Sequence, residues 1–408
     1  MKTITKDKAK QKPGYKYTKL GWIPNDWEIQ NLQDISYIDK KSLSSNFCPE
    51  KTIKYVSLAD INNGQVAYSQ YLFKDAPSRA RRITKKGDIL LSTVRPNLKN
   101  FAIIEENGLI ASTGFAVLSE KHVHNEFLIQ FLYSQNADRQ YHNLTVGSNY
   151  PALNSSDIKK FKIVTPLKRE QKSIAQCLSI WDSTITKLNA LIKAKQTLKK
   201  GLMQQLLTGK KRLPGFYGEW EKLRLDDVTN FFSRRNKELI EARVYSVTNY
   251  DGFVYQSDHF SRELVGDDLA SYKIIKKNEF AYNPARINVG SIAFFEDEIG
   301  IISSLYVCFS TNEKMTDDYM RYFIQLEKTQ FDFNRYGEGG VRIYLWYPLF
   351  ASIKVEVPPI TEQKAISNVL LAADKEIQLL QEQLEQMELQ KKGMMQQLLT
   401  GKKRLINN

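Results

Sequence analysis

The chain has little of what an extracellular or membrane protein needs. Its 408 residues include only three cysteines, Cys48, Cys177 and Cys308, which lie far apart without Cys-x-x-Cys spacing. Three such residues exclude a disulfide framework and a four-cysteine zinc site, and they fit a reducing cytosol. No apolar run approaches the ~18–20 residues that cross a bilayer, and the lysine-rich start lacks the apolar core of a secretion signal. We therefore expect a cytoplasmic protein.

Catalytic motifs are also lacking. An amino-methyltransferase needs an Asn/Asp-Pro-Pro-aromatic turn, and the nearest strings, residues 283–286 and 357–360, each lack part of it. No glycine-rich turn offers a phosphate cradle. The best histidine pair, His122 and His124, is more typical of a surface loop than of a metal site. We expect no catalysis, metal or cofactor in this chain.

One spacing of acidic residues resembles the metal site of a nuclease. Asp157 precedes Glu170-Gln171-Lys172 by thirteen residues, as in an Asp…Glu-x-Lys metal site, but the related string Glu362-Gln363-Lys364 has no matching aspartate. Both strings open predicted helices, where acidic side chains favour the positive end of the helix dipole. We interpret them as capping residues.

The charge is strongly positive. The formal net charge is +14 and the pI is near 9.3, which indicates a polyanionic partner, most often nucleic acid. Residues 1–20 hold seven lysines and one aspartate, a basic N-terminal arm that is either a mobile phosphate-binding segment or a solubilising tail. The length predicts two or three domains.

An internal repeat organises the whole chain. Residues 199–213 and 391–405 are identical at fourteen of fifteen positions, at an offset of 192. The same offset aligns the two Glu-Gln-Lys strings, and Trp27 aligns with Trp220 at 193. By contrast, residues 85–95 and 276–286 share three of eleven positions. Near-identical ends and divergent middles indicate one surface that meets the same partner twice and another that meets two different targets.

Each copy ends in a predicted helix of about 40 residues, with apolar positions at alternating steps of three and four. This heptad pattern favours two long helices that pair antiparallel, rather than helices packed only on their own domains. Gly209 and Gly401 are placed to stop them. The seam residues are Ile174, Leu178, Trp181, Ile185, Leu188, Ile192, Ile366, Leu370, Ile377, Leu380, Leu384 and Met387.

The middles combine short β-rich runs with helical stretches at Asn125–Tyr133 and Tyr319–Gln330. Turn dipeptides such as Asn107-Gly108 and Asp251-Gly252 separate the runs. The predicted fold class is therefore mixed α+β: two pseudo-repeated α/β domains with largely antiparallel or mixed sheets, joined by two long antiparallel helices that form a coiled-coil spacer.

Together these features resemble the specificity subunit of type I restriction–modification enzymes, the HsdS family. The resemblance is carried by the Pro-x-x-x-Glu-Gln helix starts, the Leu-Leu-Thr-Gly-Lys-Lys-Arg-Leu endings, the opening Gly21-Trp22-Ile23-Pro24 and the lead-in at residues 147–153. Residues 339–345, the second lead-in, depart from the family pattern. The likeness covers essentially the whole chain.

The resemblance implies a non-catalytic DNA-recognition subunit. Two target-recognition domains each bind half of a bipartite asymmetric site in double-stranded DNA, and the helices set the gap. Two methyltransferase (M) subunits, which use S-adenosylmethionine, and motor-nuclease (R) subunits, which use ATP and Mg, dock on it; no membrane is involved. The expected segments are the arm 1–20, recognition domain 21–165, central helix 166–212, recognition domain 213–357 and C-terminal helix 358–408.

Candidate DNA contacts follow from side-chain chemistry. Arginine suits guanine and asparagine suits adenine in the major groove, while clustered arginines suit phosphates. Arg95 and Arg286 occupy the same repeat position. The predicted DNA-binding residues are Arg79, Arg81, Arg82, Arg95, Asn97, Lys99, Asn100, Ser148, Asn149, Tyr150, Asn283, Arg286, Asn288, Arg342 and Tyr344.

Two other functions fit parts of the sequence. The alternative is a stand-alone DNA-binding regulator whose paired helices span two operator halves, and it predicts tight binding to a defined site without partners. A coiled-coil scaffold with no DNA role would make the positive charge incidental. Neither the bases of each half-site nor the gap length follows from the sequence.

Overall fold

The computed structural model describes residues 12–44, 46–62, 64–145, 151–256, 269–339 and 343–405. It divides into two compact units. The first unit comprises residues 1–189 with 383–408, and the second unit comprises residues 190–382. Each long helix therefore contributes its first half to one unit and its second half to the other. Among the described residues, no helix has the length and apolar character of a membrane span.

The first unit begins with short strands and ends in a long helix. Its helices are α1 (Leu32–Ile35), α2 (Asn125–Leu132), α3 (Gln135–Leu144), α4 (Ser155–Lys160) and the start of α5 (Lys168–Leu206). Its strands are β1 (Tyr15–Thr18), β2 (Gly21–Pro24), β3 (Glu28–Asn31), β4 (Ser36–Ile38), β5 (Thr52–Val56), β6 (Ile61–Asn62), β7 (Gln65–Val66), β8 (Ser69–Leu72), β9 (Ala80–Ile83), β10 (Ile89–Ser92), β11 (Phe101–Ile103), β12 (Leu109–Ser112), β13 (Phe115–Glu120) and β14 (Lys162–Thr165).

Two four-stranded sheets form the body of the first unit. One is antiparallel, in the order β11-β10-β13-β4, and the other has the order β8-β5-β12-β9 with β5 and β12 parallel. Strand β10 is buried on both faces, which explains its unbroken apolar run. Ile89 and Leu91 pack with the helices, whereas Leu90 packs in the core that includes residues of the second sheet.

The second unit repeats this topology. Its helices are α6 (Asp317–Phe323), α7 (Glu327–Tyr336), α8 (Tyr347–Ala351) and the start of α9 (Ile360–Leu398). Its strands are β15 (Glu221–Arg224), β16 (Thr229–Phe232), β17 (Val244–Val247), β18 (Phe253–Tyr255), β19 (Lys273–Lys276), β20 (Phe280–Tyr282), β21 (Ile292–Phe294), β22 (Ile299–Ile302), β23 (Val307–Thr311) and β24 (Lys354–Val357). The sheet orders β16-β23-β20-β21 and β18-β17-β22-β19 match those of the first unit, which confirms two pseudo-repeated mixed α+β domains.

Two local predictions are wrong. The helical stretch Tyr319–Gln330 is broken after Phe323, because buried Ile324 and Leu326 turn into the core and α7 starts afresh. The basic arm is also shorter than predicted, because β1 pairs with β2 and the Tyr15 hydroxyl donates to Gly401 O at 2.8 Å. Residues 1–11 of the arm lie outside the described residues.

Within each unit the two long helices lie side by side and run antiparallel. The second half of one helix contacts the first half of the other: Lys391 bonds Asp182 in the first unit, and Lys199 Nζ lies 2.6 Å from Asp374 in the second. Both helices stop as predicted. The nearby glycines 209 and 401 each have φ +67°, a left-handed conformation that glycine adopts without steric cost.

The predicted seam serves two purposes. Helix pairing is confirmed, and the first two seam positions in each helix also pack into the core of the adjoining domain, together with residues near the end of the other long helix. Further along, burial of the stripe varies. Ile174, Leu178, Leu188, Ile192, Ile366, Leu370 and Ile377 are buried, whereas Trp181, Ile185, Leu380, Leu384 and Met387 are half-buried.

A buried carboxylate joins the helix ends in the first unit. Glu170, in the first turn of α5, accepts hydrogen bonds from Trp27 Nε1 at 3.0 Å and from Arg404 Nε at 2.7 Å. Arg404 also bonds Asp26, and this contact holds the pKa of the Asp26 carboxyl below its usual value. The contribution of Asp26 to stability is thus present at neutral pH and is lost as the pH falls through that lowered pKa.

The second unit has the same arrangement. Buried Glu362 accepts from Trp220 Nε1 at 3.2 Å and from Arg212 Nε and Nη2 at 2.5 and 2.6 Å. We call these two sets the carboxylate locks. The two Glu-Gln strings lie in the first helical turns as predicted, and their glutamates also bond side chains distant in sequence, which capping alone does not explain. Buried and fully engaged, Glu170 is also unavailable as a metal ligand.

Removing one lock arginine should destabilise the protein strongly. Arg212→Ala leaves Glu362 buried without a counter-charge, and we expect a loss of about 3–5 kcal/mol in unfolding free energy. Urea unfolding followed by circular dichroism measures this. Adding Glu362→Gln to Arg212→Ala should recover part of the loss, whereas the exposed neighbour Lys211→Ala should change little. An unchanged midpoint for Arg212→Ala would contradict the lock.

Candidate nucleic-acid interface

In each unit two segments singled out from the sequence lie side by side. We call residues 93–100, between β10 and β11, the first tip loop, and residues 283–290, between β20 and β21, the second tip loop. Leu153 N donates to Thr93 O at 2.8 Å, and Leu345 N donates to Pro284 O at 2.9 Å. Leu153, before α4, and Leu345, before α8, are therefore each bonded to a tip loop.

The two tip loops contain the same backbone turn. In the first, Leu98 N donates to Arg95 O at 2.9 Å and Lys99 N to Pro96 O at 3.0 Å. The second repeats the pattern, with bonds of 3.1 and 3.0 Å from residues 289 and 290 to residues 286 and 287. Each turn is anchored by one buried residue, Pro96 or Ile287. The anchor fixes the position of the arginine that precedes it.

In the first tip loop, Arg95 and Asn97 are exposed and Asn100 is half-buried. Arg95 has φ 48°, a left-handed conformation that is uncommon for a residue other than glycine. Its N–H donates to Pro151 O at 2.7 Å, which couples the loop to the lead-in. The strained turn is thus held from both sides, as expected where a side chain must be presented at a fixed point.

The side chain of Lys99 connects the first tip loop to α3 and to Tyr133. Its Nζ lies 2.7 Å from Asp138 on α3 and donates to Tyr133 O at 3.0 Å. Burial raises the pKa of Tyr133 to about 12, so its hydroxyl stays protonated and donates to Phe101 O at 2.9 Å. The ammonium group of Lys99 is therefore already engaged by the protein.

The arginine cluster is not uniformly available for phosphates. Arg79 is exposed, but the other two members are half-buried on β9. Arg81 stacks over the Phe73 ring at 5.4 Å, and Arg82 Nη2 lies 3.0 Å from Asp39. Phosphate binding by Arg79 remains a prediction, and the other two arginines serve packing and ion pairing in this structure.

In the second tip loop the guanidinium of Arg286 is exposed, and within the described residues it forms no ion pair. Asn288 Nδ2 lies 3.4 Å from Asn334 Oδ1. Asn283 has a structural task, because its Oδ1 accepts from the backbone N–H of Ala285 at 3.0 Å. Readout of a base edge by Arg286 and Asn288 stays a prediction.

The second lead-in adds aromatic surface. Tyr344 and Trp346 are 37% and 49% exposed, with ring planes 11° apart and centroids at 6.4 Å. A groove of about 870 Å³ also opens beside the second tip loop, lined by Asn288, Val289, the highly exposed Tyr250 and other residues. Ser148, Asn149, Tyr150 and Arg342, predicted contacts in the lead-ins, lie outside the described residues.

Sequence reasoning missed three exposed side chains on these segments. Leu98, Val289 and Trp346 were not selected, because apolar residues are usually assigned to cores. A signal for the first two was present: the strings Arg95-Pro96-Asn97-Leu98 and Arg286-Ile287-Asn288-Val289 share an Arg-x-Asn-aliphatic spacing. Trp346 had no such signal.

One cluster elsewhere has metal-ligating side chains. Glu120, His124 and Glu126 place ligand atoms within 4.8 Å of one another, and His124 Nδ1 lies 3.3 Å from Glu120 Oε1. The glutamates are exposed, and three such groups do not complete the four-ligand shell of a structural zinc site. His124 and Glu120 are in direct contact within this cluster.

Each unit combines a mixed α+β domain, an antiparallel pair of helix segments and a tip loop with an exposed arginine, an arrangement typical of DNA-recognition proteins. A family described as type I restriction modification DNA specificity domain matches residues 24–197 and 217–389. The chain belongs to this family, the HsdS specificity subunits, which are non-catalytic DNA-recognition components of restriction–modification complexes.

Two curated relatives align with nearly the whole chain. A Methanocaldococcus jannaschii protein assigned as the specificity subunit of type I restriction enzyme MjaX is 26% identical over 96% of this chain and 97% of its own. The type I restriction enzyme MjaVIII specificity subunit from the same organism is 24% identical over 94% of this chain and 95% of its own. A chain from a solved structure on complex assembly and conformational transition of a type I system shares the fold, with TM-score 0.62, 18% identity and coverage of 93% and 99%.

Lys99 has two candidate roles, positioning the first tip loop and contacting a DNA phosphate, and they predict different effects of substitution on DNA binding. If Lys99 positions the loop, Lys99→Met and Asp138→Asn should both weaken DNA binding by the assembled complex and leave its salt dependence unchanged. A phosphate contact would instead lower the slope of log affinity against log salt by about one for Lys99→Met only. Fluorescence anisotropy at several salt concentrations measures both quantities. Unaltered affinity in Asp138→Asn would contradict the positioning role.

Proposed function

We propose that the chain reads a bipartite asymmetric site in double-stranded DNA, with one half-site for each unit, and that it scaffolds two methyltransferase subunits and the motor-nuclease subunits. The observation that carries this proposal is the contrast between the two kinds of surface. The backbone of the tip loops is repeated, but the residues around them differ, which suits two different half-sites.

The near-identical ends support two identical partners. Buried positions in residues 199–213 and 391–405 have to match because both copies fold alike. Exposed positions do not fill the core, yet they match too, and among the described residues only the side chains of Lys200 and Gln204 in this set bond the domain, both to Glu327. The exposed identical pairs are Lys200 with Lys392, Gln204 with Gln396, Gln205 with Gln397, Lys210 with Lys402 and Lys211 with Lys403.

In this proposal the partner subunits catalyse the reactions. S-adenosylmethionine binds the methyltransferase subunits, and ATP and Mg²⁺ serve the motor-nuclease subunits. This chain supplies recognition and position only, and it holds no cofactor. The helix pair sets the distance between half-sites, since its length is fixed by backbone geometry.

Mapping methylated adenines tests whether this chain determines the DNA sequence that is methylated. The chain, reconstituted with its methyltransferase subunit, should methylate adenines only in sites with two specified halves and a fixed unspecified gap. Arg286→Ala should relax one half-site, with about 1–3 kcal/mol less discrimination at one base pair, because a bidentate arginine–guanine contact is lost. The exposed Arg224→Ala on β15 is the control. Methylation without a gap, or equal loss in both halves, would contradict the assignment.

Charge reversal on the repeated ends tests the scaffold. Changing Lys210 and Lys211 to glutamate should reduce the bound methyltransferase subunits from two to one. Changing Lys402 and Lys403 as well should leave none, and native mass spectrometry counts them. Lys237→Glu, an exposed lysine outside the repeated ends, should leave two. Two subunits bound to the quadruple variant would contradict docking on these ends.

DNA binding by the isolated chain distinguishes the proposed function from that of a stand-alone regulator. We expect weak binding with a steep salt dependence when the partners are absent. Tight binding of a defined site at physiological salt by the chain alone would favour the regulator instead.

A further inference from the structure

Two aliphatic side chains stand exposed at equivalent points of the tip loops. Leu98 is 57% exposed and Val289 is 53% exposed. Each follows its arginine by three residues and its asparagine by one. Burial of such a side chain stabilises a protein, so exposure at the same point of both units leaves apolar surface available for another molecule.

The turns that carry both side chains share one backbone hydrogen bond, while the arginines before them differ in conformation, with φ 48° at Arg95 and −140° at Arg286. The N–H of Leu98 and that of Val289 each donate to the carbonyl of the preceding arginine, at 2.9 and 3.1 Å. The residue after each is left-handed, with φ 54° at Lys99 and 98° at Gly290. A Cβ on Gly290 would lie 2.8 Å from Asn249 O, so this turn is packed tightly against its neighbour.

The shared set of side chains matches groups that G·C and A·T base pairs display in the major groove. Arginine suits O6 and N7 of guanine, asparagine suits N6 and N7 of adenine, and an aliphatic group suits the C5-methyl group of thymine. Arg95, Asn97 and Leu98 supply these three chemistries from a single turn, as do Arg286, Asn288 and Val289.

We propose that Leu98 and Val289 are specificity-determining residues, each contacting the C5-methyl group of a thymine in the half-site that its own unit reads. The inference rests on the proposed function. Each tip loop then reads DNA by one apolar contact in addition to hydrogen bonds, and each half-site contains a thymine next to the base pair that the arginine contacts.

Replacing thymine by uracil tests the contact, because it removes only the methyl group. With half-sites known from the methylation map, duplexes carrying one uracil at a time are bound to the complex with the methyltransferase subunit. We expect one position in each half-site to lose affinity about four-fold, from about 0.8 kcal/mol for one methyl-sized group. Leu98→Ala should abolish that loss in its own half-site, and Val289→Ala should do so in the other.

Matched controls are available. Leu167→Ala in the first unit and Leu305→Ala in the second also truncate exposed leucines, and they should retain full sensitivity to uracil. Thermal unfolding of each variant checks that it is folded.

Three results would overturn the proposal. A half-site without thymine leaves no methyl group to contact. If the losses of DNA affinity from uracil and from Leu98→Ala are additive, the thymine methyl group and the Leu98 side chain do not touch. A side chain inserted between base pairs would give this result. Weaker methyltransferase binding by Leu98→Ala, with DNA selectivity intact, assigns the residue to a protein contact. Failure of the proposed function is distinct, because the wild-type complex would then methylate no bipartite site.

Discussion

The fold depends on two buried carboxylates. Glu170 and Glu362 each accept hydrogen bonds from a tryptophan at the domain entrance and from an arginine just beyond a long helix. A buried charge is tolerated only when it is paired and hydrogen-bonded, so these contacts fix three distant segments in one arrangement. The positions of the tip loops follow from this, since each domain is attached to the helices through its lock.

The strands explain how one scaffold carries two different reading surfaces. The central strands are buried on both faces, so alternate residues support the helices on one side and the second sheet on the other. The loops that leave these strands do not have to fill the core. Their exposed residues are free to change, while Pro96 and Ile287 keep the turns in place.

Much of the fold could be predicted from the sequence, because duplication and helical periodicity are properties of the residue pattern alone. The function of Glu170 could not, since its partner Arg404 lies 234 residues away and only the fold brings them together. The same limit applies at the tip loops. Arg95 and Arg286 could be proposed from their chemistry and shared repeat position, and their role stays a prediction. The engagement of Lys99 by Asp138 depends on α3, a helix that the sequence pattern did not indicate.

The continuity of the long helices has a thermodynamic consequence. Residues 168–189 of α5 belong to one compact unit and residues 190–206 to the other, and α9 is divided in the same way. An α-helix propagates cooperatively, so melting of a helix in one unit removes neighbours that stabilise its remainder in the other. Melting of the helix segments in one unit should therefore lower the stability of the segments that continue them in the other.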